Sequence, residues 1–581
     1  MRIRWFLLSG WFFCWVFLLG LGSGWLSGQD LALVGGTLID GTGNDPRPDV
    51  TVVIEAGRFS RIVPAETELP AGLTRIDARG KYLIPGLIDN HTHFRDWQVD
   101  FFLAHGVTTV LDLGNPVDWI QAIKEAIAKG RIRGPRLFRV GEILDAPPRP
   151  GMTEVPAARR GRLVYVKDAA QARAEVRRQV EAGSDCIKIY ARLSFEQLAA
   201  IADEAHKANI PVAGHVADAR EASLAGIDFL EHTDNVAMAT IEDFERYDKV
   251  LEERFRDPSY FGGVLIEEGL SQGLPPHHLM DPGRFDKLTR LMVTQNTFLN
   301  PTLLVYWRGL NGRRSEVARE VREFLRDPRV DYIPLNVRLH MLDYRDVDDL
   351  EPQIYQNLLR GYERVKEFLK VFVQGGGKVV AGVDVTTLDV PGLGTHQEMG
   401  LLVDAGLTPM QALLSATLWS AQMMKKADLF GSIEVGKLGD VVVLNENPLQ
   451  DIRNSRSIDL VIKEGIVQDT EYHADYSIPI PRPSASFFPN QTPELTEVVP
   501  RLAVEGAETA KIALRGHGFS RYSRVLFDGV RISTRYVSEE QLEASIPTGL
   551  LVRVGTFPVT VQNPRPGGGV SNSLRFMVKF R

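Results

Sequence analysis

The chain predicts an α/β fold: a (β/α)8 barrel of the TIM type, held by a composite β-sandwich that flanking segments build, with a further β-sandwich behind it. Three observations predict this. Between residues 83 and 430, eight short apolar or β-branched runs follow one another: "YLIPGLID", "VTTVLDLG", "RLFRVGEIL", "CIKIYA", "IPVAGHV", "DFLEHT", "FLNPTLL" and "VVAGVD". Amphipathic stretches such as "DWIQAIKEAIAKG" and "SFEQLAAIADEAHKAN" separate most of them, and alternating βα units in that order make a parallel barrel. Before and after this region lie short strand-like segments punctuated by Gly and Asp, which read as β structure.

The N-terminal segment 1–28 stands apart. Arg2 and Arg4 precede an apolar run from Trp5 to Leu21, and Gly22, Ser23 and Gly24 follow. That order reads as a secretory signal, and the run also has the length for a membrane anchor. The expectation is an exported protein, periplasmic or extracellular, with membrane association through this segment left open. Of the two cysteines, Cys14 falls in the signal, so Cys186 has no partner for an intrachain disulfide in the mature chain. The remaining composition is globular, with 44% hydrophobic and 24% charged residues. A net charge of −7 offers no basic field for nucleic acid.

Segments 31–82 and 431–470 read as the two parts of the composite β domain, and 83–430 as the barrel. A long insertion at 235–297 and helical stretches at 311–374 interrupt the later barrel units. Loops after barrel strands sit at the catalytic face, so these read either as a lid or substrate wall or as extra packing helices; Val317, Val321, Phe324 and Leu325 share one helical face. Thr408, Pro409 and Gln411 open a helix after the barrel. The proline-rich stretch 471–492 reads as a linker, and 493–581 as a β-sandwich.

Titratable residues recur at the ends of the predicted barrel strands. Strand one ends in His91 and His93, whose i, i+2 spacing points both imidazoles to one side. Strand four carries Lys188, strand five His215, strand six His232 and strand eight Asp384. Imidazole and carboxylate suit zinc or a similar divalent ion. A lysine facing a barrel interior is costly unless its charge is removed or paired. One histidine at a strand end is ordinarily structural; six such groups at matching ends are hard to ascribe to packing.

These residues stand in segments that resemble the amidohydrolase superfamily, in particular its imidazolonepropionase-like and Xaa-Pro-dipeptidase-like metal-dependent hydrolases. The matching stretches are "IPGLIDNHTH", "HGVTTVLDLG", "CIKIY", "AGHV", "LEHT", "AGVD", "HQEMGLLVDAGLTPMQALLSAT" and "GSIEVGKLGDVVVLNENPL". The resemblance implies two divalent metal ions, zinc foremost. His91, His93 and Asp384 would hold one, and His215 and His232 the other. A carboxylated Lys188 and a hydroxide would bridge them. Asp384 would be the catalytic proton carrier, and the reaction the hydrolysis of an amide or peptide bond in a dipeptide or N-acyl amino acid. Segment 493–581 resembles an IPT/TIG immunoglobulin-like domain through "ALRGHGF", "VLFDGV", "LEASIP", "PVTVQNP" and "GGGVSNSLRFMV".

After strand four the chain reads "IKIYARLSF" where dipeptidase-like relatives often have a glycine-rich turn. Tyr190 and Arg192 could there meet a substrate carboxylate or carbonyl, with a surface ion pair the alternative for Arg192. His396 reads as a substrate contact or a structural group. His105 precedes strand two and reads as structural, and His277 and His278 as loop residues. The partner expected is a small or dipeptide-like substrate, with self-association left open. Hydrolysis of a lactone, carbamate or phosphoester is the alternative on the same site. A non-enzymatic scaffold is disfavoured because all six ligand positions are filled.

Overall fold

The computed structural model describes residues 30–147, 163–241, 276–311, 315–342, 352–384, 389–477, 480, 482, 492–520, 523–563 and 569–580. The predicted N-terminal signal and residues 242–275 of the insertion lie outside these. Among the described residues no helix is long and apolar enough to cross a membrane.

The first five strands are β1 (Leu31–Leu38), β2 (Arg47–Glu55), β3 (Arg58–Pro64), β4 (Thr74–Asp77) and β5 (Tyr82–Pro85). The barrel strands that follow are β6 (Leu87–Thr92), β7 (Val107–Asp112), β8 (Arg136–Arg139), β9 (Ile143–Asp145), β10 (Leu163–Tyr165), β11 (Ile187–Ile189), β12 (Val212–Gly214), β13 (Phe229–Glu231) and β14 (Phe298–Asn300). All pairings among them are parallel. Two parallel bridges extend the wall: Val140 to Cys186 joins β8 to the start of β11, and Leu299 to Val379 adds the stretch before Asp384. The amide of Asn90 donates to the Ala381 carbonyl at 3.0 Å and brings that stretch against β6. The wall thereby closes from β6 round to the stretch before Asp384, with β10 added outside it on β9 alone.

Strands β15 (Val441–Leu444), β16 (Ile458–Lys463) and β17 (Ile466–Gln468) return to the first five. Val442 pairs with Ile84 and Val461, so the C-terminal segment supplies the neighbour of β5. Two expectations need correcting here. The run "YLIPGLID" is not one barrel strand: it divides at Gly86, with β5 in the flanking sheet and β6 in the barrel. A Cβ on Gly86 would lie 2.2 Å from Thr108 Oγ1, so the crossover needs glycine. The flanking domain is also one continuous eight-stranded sheet rather than two separate ones. The cause is β1, whose pairing slips at Gly36. Its first half pairs with β4 and its second with β5, keeping all strands in one network over a shared apolar core of Leu33, Val52, Ile54, Leu83 and Val443.

Of the helices between strands seven and eight, Glu316–Phe324 buries its apolar stripe: Ala318, Val321 and Phe324 pack with Trp97 and Phe101 beside the barrel. The packing reading holds for this helix. Residues 494–579 form two antiparallel-rich sheets. Leu514 and Ile546 from one meet Phe527, Val559 and Phe576 from the other in a core of their own.

Candidate metal centre

Polar side chains collect at the carboxyl ends of the barrel strands. His91, fully buried in β6, and His93 just past it have ring centroids 5.5 Å apart. His215, one residue beyond β12, lies 4.6 Å from the His232 ring and 6.1 Å from that of His91. Asp384 closes the circle. Its Oδ1 is 3.3 Å from Nε2 of both His91 and His93, and its Oδ2 is 3.8 Å from His232 Nε2. Lys188, fully buried in β11, points its Nζ to within 3.8 Å of Glu231 Oε1. Two sets of donor atoms fall within 4.8 Å of one another: those of His91, His215 and His232, and those of His91, His93 and Asp384.

Outer hydrogen bonds decide which imidazole nitrogen faces inward. His91 Nδ1 lies 2.5 Å from the Glu231 carboxylate, which can only accept, so Nδ1 carries the proton. His93 Nδ1 faces the Gly114 carbonyl at 3.4 Å, with the same consequence. His232 Nδ1 is 2.6 Å from Thr302 Oγ1. That hydroxyl already donates to the Pro301 carbonyl at 2.8 Å, so it accepts from His232. In all three rings a bare Nε2 is left toward the centre.

The electrostatics follow from this enclosure. Burial pushes His215 well below its ordinary value, aided by Lys188 and His232, and pulls His232 down to about 4. Burial also lowers Lys188, outweighing the nearby Glu231 and Asp384 carboxylates. Asp384 is the reverse case: burial would raise it, but the surrounding imidazoles hold it well below the usual carboxylate range. Imidazole nitrogens, a carboxylate and an amine short of its ordinary basicity therefore converge as a set of possible ligand atoms. His91 Nε2, His232 Nε2, Lys188 Nζ and Asp384 Oδ1 are all buried without a hydrogen-bond partner. Two imidazole nitrogens crowded at 3.3 Å on one buried carboxylate oxygen suit a cation, and the donor set fits a divalent one.

Glu231 was not singled out from the sequence. Consecutive strand residues face opposite ways, so Glu231 and His232 should not both reach the centre. They do because the strand ends between them: His232 has φ 63°, a left-handed conformation that turns its ring back inward. Thr302 and Asp384, at the next two strand ends, also have positive φ, 46° and 53°. Such values are costly for residues with a Cβ. Three at one rim place the strain where the donors converge.

Gly382 permits the approach of the last strand. A Cβ there would lie 2.4 Å from Asn300 Nδ2 and 2.8 Å from His91 Cβ. Gly382→Ala is expected to cost about 1–3 kcal/mol through overpacking, read from chemical denaturation, and to displace His91. A variant as stable as the parent would show that this contact is slack.

The model of the amidohydrolase family matches residues 82–467, from the last strand of the flanking sheet to its return. The chain belongs to the amidohydrolase family. That family is generally metal-dependent, and the His/Asp cluster is of the kind that could hold an ion. Similar solved structures include a Bifidobacterium longum chain provisionally named a prolidase (TM-score 0.55, 24% identity, 78% of this chain and 98% of that one). A Xaa-Pro dipeptidase with bound methionine (0.52, 22%, 76% and 100%) and molinate hydrolase (0.52, 22%, 77% and 96%) are others. At these identities the likeness speaks for the fold. An uncharacterized protein of Mycobacterium tuberculosis (strain ATCC 25618 / H37Rv) is 35% identical over 132 residues, 20% of this chain and 20% of its own length. A D-aminoacylase of Alcaligenes xylosoxydans xylosoxydans is 37% identical over 87 residues, 14% of this chain and 17% of its own length. The chain thus spans about a fifth of the length of the curated relatives it matches.

The three residues read as substrate contacts in this amidohydrolase fare differently. Tyr190 places its ring 5.1 Å from that of His215, beside the centre. Arg192 is held by Asp145, with Nη2 to Oδ2 at 2.5 Å, and stacks over Tyr165. Its guanidinium already serves a buried carboxylate at the end of β9. His396 does not join the centre. Its Nδ1 meets Ser455 Oγ at 2.8 Å and its Nε2 the His105 carbonyl at 2.9 Å, at the entry to β7 and so the opposite end of the barrel. Both nitrogens are spent inside the protein, which corrects the substrate reading. His277 differs in the other direction. It is buried, with Nε2 2.9 Å from Thr233 Oγ1, immediately behind His232.

Proposed function

We propose that this chain is an exported hydrolase with two divalent metal ions, most suitably zinc, that cleaves an amide or peptide bond in a small dipeptide-like or N-acyl amino acid substrate. The observation that carries the reading is the meeting of bare Nε2 atoms from His91 and His93 on Asp384 Oδ1, each at 3.3 Å. His91, His93 and Asp384 would hold one ion and His215 and His232 the other, with Lys188 between. Lys188 is enclosed and short of its ordinary basicity. An amine in that state can add to carbon dioxide through Nζ, lose a proton and become an anionic carbamate. The Glu231 carboxylate at 3.8 Å would then face the remaining N–H.

Ions bound there would polarise the scissile carbonyl and make water acidic enough to attack at neutral pH. The chain's own residues do the rest. Asp384, ionised and turned inward by its backbone, takes the proton of the attacking water and returns it to the leaving nitrogen. Glu231, Gly114 and Thr302 keep three imidazoles in the tautomer that spares Nε2. Tyr190 flanks the substrate beside His215. The names of similar proteins, a Xaa-Pro dipeptidase and a D-aminoacylase among them, support an amide bond. Residues 493–581 suit an immunoglobulin-like spacer of IPT/TIG type, and the N-terminal apolar run suits export.

The test is a panel of dipeptides and N-acyl amino acids beside lactones, carbamates and phosphoesters, offered to protein with a measured zinc content. Turnover of an amide with about two zinc ions per chain is the expected result. Turnover confined to the other bond types would overturn the amide reading.

A further inference from the structure

The sequence reading made residues 471–492 a linker, and the family match ends at 467. The described residues of that stretch are nevertheless built into the barrel. Tyr472 meets His105 Nε2 with its hydroxyl at 3.0 Å and packs edge-on against Phe101 and Phe324. Tyr476 donates to the Asp96 carbonyl at 2.5 Å. The carbonyl of Ile480 accepts from Trp119 Nε1 at 3.1 Å. Arg482 makes the deepest set: its backbone N–H donates to Asp96 Oδ2 at 2.8 Å, its Nε to Asn115 Oδ1 at 2.8 Å, and its guanidinium lies 5.8 Å from the centre of the Trp119 ring.

Asn115 is where this touches the metal centre. It is buried, and its Oδ1 also faces Arg95 Nη1 at 3.4 Å. With two guanidinium donors on its oxygen, the amide nitrogen must point the other way. It does, giving hydrogen bonds to the Phe94 carbonyl at 3.0 Å and to Asp112 Oδ1 at 2.5 Å. That orientation clamps His93 from both sides. Phe94 follows it in the chain, and Arg95 Nη1 holds the His93 carbonyl itself at 2.7 Å. Gly114, the residue before Asn115, offers the carbonyl that faces His93 Nδ1.

We propose that Arg482 is a positioning residue for His93, acting through Asn115, and that the hydrolase unit therefore extends past the family match to at least residue 482. This deepens the metal reading above and rests on it only for the effect on metal affinity. The backbone effect stands without metal. Were Arg482 a mere surface anchor, its loss would loosen the 472–482 stretch and leave the turn around His93 as it was.

The experiment compares the full-length parent with Arg482→Ala, and with Arg482→Met, which keeps the aliphatic cover on Trp119. Amide hydrogen exchange of the metal-free proteins is followed at residues 93–96 and 113–115, and zinc affinity by competition with a chelator. Expected are faster exchange at both turns, unchanged exchange in the β1–β5 sheet, and about a tenfold loss of zinc affinity, the lower end for a removed outer-shell partner. Millimolar guanidinium ion should restore both readouts where ammonium does not, because only the former reproduces the planar donor. Parental exchange rates at 93–96 and 113–115 in both variants would overturn the proposal. So would a loss that guanidinium does not repair in either. A parent that binds no zinc would instead overturn the metal reading, while exchange still decides the role of Arg482.

Discussion

Asp384→Asn is expected to lower turnover by about 10²–10⁴-fold, the contribution of a positioned proton carrier, and to empty one ion site as well. The substitution keeps the shape of the side chain but replaces an acceptor with an amide nitrogen that donates. His91 Nε2 and His93 Nε2, each 3.3 Å from the carboxylate oxygen, would receive those hydrogens. The lone pairs that call for a cation would then be satisfied without one. Paired kcat and metal analyses on the same preparation check this. A variant within tenfold of parental turnover would mean that Asp384 is not the proton carrier, and one with full metal content that it is not a ligand.

Glu231→Ala is expected to be the costliest single change at the centre. It would leave Lys188 enclosed without the carboxylate 3.8 Å away, His91 Nδ1–H without its acceptor, and Asn300 Nδ2 without its 3.0 Å partner. Each buried donor left without its acceptor costs about 1–3 kcal/mol, which chemical denaturation would read directly. Glu231→Gln keeps the volume and an acceptor for His91, but loses the charge. It should fold, with zinc affinity down about 10–100-fold. Equal stability of Glu231→Ala and parent would show that His91 and Asn300 find other acceptors.

The histidines and the aspartate were legible because each closes a short apolar run, and runs of that kind order themselves into parallel strands whose ends share a rim. The residues that orient them were not. Glu231 precedes His232, and strand alternation sends neighbours to opposite faces; only the positive φ at His232 brings both inward. Asn300 and Thr302 lie in "FLNPTLL", where the proline suggests a turn and gives no hint of their contacts with Glu231 and His232. Arg482 sits among prolines, a composition that reads as a tether, and its partner Asn115 is more than three hundred positions earlier. His396 misled for the opposite reason: it lies in a motif shared with relatives, yet its helix delivers it to the far end of the barrel.

The left-handed turns at His232, Thr302 and Asp384 set a limit on how this protein could be made sturdier. Asparagine and glycine adopt those dihedrals at less cost. A directed search for heat resistance would therefore be drawn to the rim of the candidate metal centre, where each relaxed turn would swing a donor out of place. Robustness would have to be sought elsewhere, in the flanking sheet or the helix surfaces, with these positions held fixed in the library.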